Sequence, residues 1–193
     1  MNTTVTFFPD EKAQTMRVEE MTLHELRARI LSTTKKRKAA LPWLKLALFG
    51  EKRSEKNCLR HNENLLAITG IELDYDRAEI KFNDAVKTTR KARLRGMLYT
   101  SANYSDAKPR WRILLPTSIQ LPPDQRAKLV ARVNGLYGGT FSDESFTLST
   151  AYYFGSVNNN PEHRAVVTEG VYIDQRDDLD ADCDLQEGQE RQR

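Results

Sequence analysis

The chain has 193 residues, 39% of them hydrophobic and 30% charged, with a formal net charge of +3, enough for one ordinary domain with its own core. No run approaches the roughly 20 apolar residues of a membrane span, and the start, MNTTVTFFPDEKAQ, lacks the basic lead and apolar core of a signal peptide. Cys58 and Cys183 have no CxxC spacing, which argues against a disulfide framework or a cysteine zinc site and makes a reducing, cytoplasmic setting the expectation.

Residues 1–20 show no regular pattern. Thr22 and Glu25 form a capping box that predicts a helix over 22–31, with Leu23, Leu26 and Ile30 as its apolar stripe. Residues 32–64 carry nine Lys/Arg against Glu51, Glu55 and Glu63, broken by Pro42 and Gly50. LLAITGIELDYD (65–76) reads as a strand, and FNDAVKTTRKARLRG (82–96) as a helix capped at Asn83 and stopped at Gly96. MLYTS (97–101) and RWRILLP (110–116) read as strands joined by the loop ANYSDAKP. Pro122, Pro123 and Asp124 open a helix to about Tyr137, striped by Ala127, Val130 and Val133 and ended by Gly138 and Gly139. Residues 144–155 and 163–173 are further strand candidates. Residues 174–193 hold eight acids and three bases; such a tail is too polar to bury itself and is expected to be disordered. The remainder is therefore a basic body, which suits a polyanion. The order predicts an α+β fold with a largely antiparallel sheet and helices on one face.

In GIELDYD, Glu72, Asp74 and Asp76 occupy alternate positions and so share one strand face. Carboxylates so spaced can hold Mg²⁺ or Mn²⁺, with a third acid from another strand; the spacing alone is weak evidence, and an exposed strand edge whose acids deter aggregation also accounts for it. Arg110 and Arg112 share a face of the next-but-one strand and can grip phosphate through forked hydrogen bonds, or alternate with Trp111 and Ile113 on a solvent face. The basic stretch 32–64 can track a phosphate backbone with Trp43 as a stacking platform, or be a solvated surface with Trp43 in the core. Asp143 and Glu144 precede a predicted strand, where turn chemistry favours acids in any case. His24, His61 and His163 share no ligand spacing, and no P-loop, nucleophile elbow or HExxH is present.

Taken together, the acidic strand, the helix, YTSANYSDAKPRWRILLP, a second helix and an acid before FTLSTAYYFG resemble the primase–polymerase family of the archaeo-eukaryotic primase superfamily, in its phage and plasmid replication form. The likeness spans about residues 32–173. It implies an RRM-like catalytic core between an N-terminal extension with a short helix (1–31) and the acidic tail (174–193). It also implies a divalent-metal nucleotidyltransferase whose metal pair is Glu72/Asp74 or Asp74/Asp76. The second register fits the distance to the FNDA helix better, and the third acid falls at Asp143 or, preferably, Glu144. Where the family offers a phosphate-contacting histidine, this sequence has Tyr104, which can donate one hydrogen bond but carries no positive charge at neutral pH. Lys108, Arg110 and Arg112 supply fixed charge nearby, and Lys35, Lys36, Arg37, Lys38, Lys45 and Arg60 would track a DNA template. The implied partners are a DNA template, nucleoside triphosphates and a replicative helicase, with no membrane. The rival expectations are a non-catalytic single-stranded DNA-binding module of the same fold and a metal-dependent nuclease.

Overall fold

The computed structural model describes residues 2–180. They run β1 (Thr3–Phe8), β2 (Arg17–Met21), α1 (Leu23–Ser32), β3 (Thr34–Lys35), β4 (Trp43–Lys45), β5 (Ala47–Phe49), β6 (Leu65–Tyr75), α2 (Phe82–Lys91), β7 (Gly96–Thr100), β8 (Trp111–Leu121), α3 (Arg126–Leu136), β9 (Tyr152–Tyr153), β10 (Ser156–Val157) and β11 (Ala165–Thr168), with short 3-10 turns between. The capping box forms as expected: Thr22 Oγ1 accepts from Glu25 N at 3.2 Å, and Glu25 Oε2 accepts from Thr22 N at 2.7 Å. The second helix stops earlier than Gly96, because Arg93 turns the chain with φ +52°.

A five-stranded antiparallel sheet, ordered β11-β7-β8-β6-β5, carries the molecule. Strand alternation gives it two apolar faces. Ile71, Leu73, Tyr75, Ile113 and Leu115 pack under α2 and α3. Met97, Tyr99 and Leu114 pack against Leu26 and Ile30 of α1 and Val5 and Phe7 of β1. Helices therefore cover both faces, not one, because the stripe of α1 finds its apolar partner on the opposite side from α2 and α3. The fold is mixed α+β with antiparallel sheets and three α-helices among the described residues.

Residues 1–31 are part of the body and not an extension. β1 pairs with β2 and with β4 in a second sheet, β2-β1-β4-β9, so the segment without a sequence pattern forms two strands. The chain passes from this sheet to the central one at Leu46, between β4 and β5. The expected strand over 144–155 is instead a 3-10 turn, Asp143–Phe146, and the two-residue β9. The first residues of the expected disordered tail are packed: Leu179 is buried, and Arg132 pairs with Asp177 and Asp180. Residues 181–193 of that tail lie outside the described residues. Among the described residues no helix is long and apolar enough to cross a membrane.

Candidate active site

Antiparallel register sets the first contacts. β8 runs beside β6 so that Arg112 stands directly opposite Asp74, and beside β7 so that it also faces Tyr99. Arg112 Nε lies 2.6 Å from Asp74 Oδ1, a charge contact without hydrogen-bond alignment. Its Nη1 donates to Tyr153 O at 2.8 Å. Asp76 follows directly on β6, and the next turn is pinned by the Tyr75 hydroxyl, which accepts from Glu79 N and Ile80 N at 2.7 and 2.6 Å. Tyr75 itself is held by stacking on Trp111, with ring centroids 4.7 Å apart.

Beyond Ile68 the edge of β6 has no partner in β5. The turn around Ser142–Phe146 takes that edge: Ser142 N donates to Asp74 O and Asp74 N donates to Ser145 Oγ, both at 3.1 Å. Arg126, at the start of α3, ties turn and strand together, donating to Ser145 O at 2.6 Å and Glu72 O at 3.1 Å. These bonds carry Glu144 to the same cleft as Asp74 and Asp76.

That cleft, of about 770 Å³, is lined by Asp74, Asp76, Glu144, Arg110, Arg112 and Lys38. Its lining is also aromatic, from Trp43, Tyr152 and Tyr153, and includes Arg60. Pairing of β4 with β9 sets Trp43 against Tyr153, rings edge-on at 5.9 Å. Cations lie over these faces: Arg112 Cζ at 4.0 Å and Lys38 Nζ at 4.6 Å from the Tyr153 centroid, and Arg60 Cζ at 5.1 Å from Trp43. Burial opposes the charge of Arg112, but Asp74 and neighbouring oxygens outweigh it and raise its pKa above the ordinary arginine value. Burial would also raise the Tyr153 phenol, yet Arg112 and Lys38 bring it below the usual tyrosine range.

Several residues singled out in the sequence stand elsewhere. Glu72 is fully buried, bound by Lys45 Nζ at 2.7 Å, Arg126 Nη2 at 3.2 Å and the Leu46 N–H. Its carboxylate has no access to the cleft, and Lys45, also fully buried, offers nothing to a DNA backbone. Burial raises the Glu72 pKa, but the two cations overcome it and hold it below the ordinary value. Burial takes Lys45 down to about 8 against the opposing pull of Glu72. Tyr104 is buried away from the cleft, donating to Asp106 Oδ1 at 2.7 Å and accepting from Arg164 Nη2 at 3.0 Å. Burial and the bond to Asp106 push its hydroxyl up to about 12 against the opposing pull of Arg164. Arg112 is itself only 3% exposed, so its guanidinium is committed to Asp74 and Tyr153 instead of reaching freely for phosphate. Lys35, Lys36, Arg37, Lys108 and Asp143 are exposed but do not line the cleft. Sequence reasoning passed over Tyr152, Tyr153 and Glu11, which do. The paired tyrosines eight and nine residues after Glu144 were the available signal.

The donors open to a cation here are carboxylate oxygens, the type Mg²⁺ and Mn²⁺ prefer. Among the described residues no three His, Cys, Asp or Glu side chains form a ready-made metal cluster. Mg²⁺ is commonly held by one or two carboxylates plus substrate phosphates, and this donor set fits a site of that kind and not a protein cage.

No protein-family model and no curated protein matches the sequence. Among solved structures, the chain is similar to the AEP domain of the primase-polymerase (PrimPol) of cyanophage S-2L, with a TM-score of 0.51 at 10% identity, over 89% of this chain and 86% of that one. At that identity the likeness is one of fold: the chain has, distantly, the architecture of a primase–polymerase domain.

Proposed function

We propose that this chain is a template-dependent nucleotidyltransferase of the primase–polymerase kind. The observation that carries the reading is the meeting of Asp74, Asp76 and Glu144 with Arg110, Lys38 and an aromatic wall in one cleft, on a fold shared with a phage primase-polymerase domain. Asp74 and Asp76 would hold Mg²⁺ or Mn²⁺ together with substrate phosphates, with Glu144 adding negative charge to the same cleft. Bound there, the metal supplies the positive charge for in-line phosphoryl transfer, in which a 3′-hydroxyl displaces pyrophosphate from the α-phosphorus of a nucleoside triphosphate. Arg112 acts through Asp74: its buried charge orients that carboxylate and it does not touch substrate. Arg110, exposed at the mouth of the cleft, and Lys38 take the triphosphate. Trp43 and Tyr153 hold Arg60 and Lys38 over their rings, so the aromatic side of the cleft presents fixed positive charge to the nucleic acid.

The rival binding module draws support from one observation: Asp74 already has a cationic partner in Arg112, so DNA alone suffices to occupy the cleft. Labelled-nucleotide incorporation on a single-stranded DNA template, with Mg²⁺ or Mn²⁺, separates the two. Products from the wild type that vanish in Asp74→Asn and Asp76→Asn support the transferase. A folded wild type that binds DNA and incorporates nothing overturns it, and a shortened primer would mean a nuclease.

A further inference from the structure

A second groove, of about 760 Å³, borders the first and is lined by Lys52, Arg53, Lys56, Arg60, Thr147 and Ser149. Arg60 lines both. It stands with its guanidinium over Trp43 and its Nη2 donating to Glu11 O at 3.0 Å. The four bases outnumber the acids of this groove, Glu55 and Glu63, one of which is paired with Lys52.

The segment between Gly50 and Asn64 has only a short 3-10 turn of regular structure, Asn62–Asn64, yet it is closed at its base and tied down along its length. Gly50 N donates to Asn64 O at 2.8 Å, and the buried Asn64 side chain returns bonds to Gly50 O at 3.0 Å and Leu59 O at 2.7 Å. Its Oδ1 accepts from Lys52 N at 2.9 Å. Arg53 Nη1 anchors to Gln14 O at 2.9 Å, and Leu59 N to Ala13 O at 2.9 Å. A closed loop of this length held by its own polar groups is a compact surface element of a sort that often carries function. Held in advance, it presents charge with little ordering cost on binding.

We propose that this loop is a binding track for the phosphate backbone of single-stranded nucleic acid, continuing from the first cleft, across Arg60, to Lys52 and Lys56. The track rests on the reading that the neighbouring cleft works on nucleic acid, but needs neither metal nor chemistry. The same cations could instead meet the triphosphate of a free nucleotide, so the test includes both ligands.

The test is the double variant Lys52→Ala/Lys56→Ala, two exposed residues outside the catalytic groups, checked for an unchanged melting temperature. Fluorescence anisotropy would follow oligothymidylates of about 4 and about 16 nucleotides and a labelled nucleoside triphosphate, across a salt series. The expected result is about tenfold weaker binding of the long oligonucleotide, with the slope of log K against log salt reduced by about 1.4 for two lost contacts. Binding of the short oligonucleotide and of the nucleotide stays as in the wild type. An unchanged affinity and slope for the long strand overturns the track, as does an equal loss for all three ligands. Failure of nucleotide incorporation with this binding pattern intact would remove the transferase reading and leave the track.

Discussion

Glu72 and Asp74 stand two residues apart on one strand face, each beside an arginine, and their surroundings diverge. Glu72 is fully buried and saturated by Lys45, Arg126 and a backbone N–H. The Asp74 side chain is 20% exposed, meets the single cation Arg112 and opens on the cleft. Asp76, two residues further, is exposed on that cleft. The chain runs from interior to solvent here, so the same carboxylate chemistry changes from a buried tie to a group open on the cleft over three alternate positions.

The comparison predicts opposite gradients. Glu72→Ala leaves two buried cations without their carboxylate and should cost about 3–5 kcal/mol in urea unfolding; a loss under about 1 kcal/mol would break the view of Glu72 as a tie. Asp74→Asn strands only Arg112, whose second partner remains, and should cost about 1–3 kcal/mol while lowering nucleotide incorporation at least about 100-fold. Asp76→Asn should change stability by no more than about 0.5 kcal/mol with a comparable loss of incorporation. If Asp76→Asn keeps full activity, the reactive pair is not Asp74 and Asp76.

The smallest effect is in the acid arm. Glu72 has its folded pKa below the ordinary value of 4.5, so just below that value the unfolded chain binds the proton first. Its contribution to stability is complete above about pH 4.5 and is lost as pH falls through the lower folded value. Stability of Glu72→Gln, followed by denaturant midpoint against pH, should fall less steeply there than that of the wild type. Parallel curves would show that other carboxylates set the acid response.

Much of this molecule is legible along the chain. The capping box of α1, the acidic strand, α2, the pair β7 and β8, and α3 behind its prolines all follow from local patterns, and each forms. β1 was readable and passed over, since TTVTFF is all β-branched and aromatic residues, whereas β2, RVEEM, lacks the strict alternation that marks a half-buried strand. The candidate site was partly legible in the sense that Asp74, Asp76, Glu144, Arg110, Arg112, Lys38 and Arg60 all line one cleft. Tyr104 and Lys45 did not, since nothing local distinguishes a tyrosine or lysine that will be buried against Asp106 or Glu72 from one that stays in solvent.

By itself the sequence determined the three helices and the central strands β6, β7 and β8, and that Glu72 and Asp74 point one way from one strand with Asp76 just past its end. Those are consequences of periodicity and capping, which act within a few residues. The tertiary structure alone decided which carboxylate is a tie and which faces the cleft. That outcome depends on Arg112 falling opposite Asp74 in the β6–β8 register, on Lys45 and Arg126 arriving at Glu72, and on the turn at Ser142–Phe146 capping the open edge of β6. Burial and charge pairing are set by residues distant in the chain, so no local pattern encodes them.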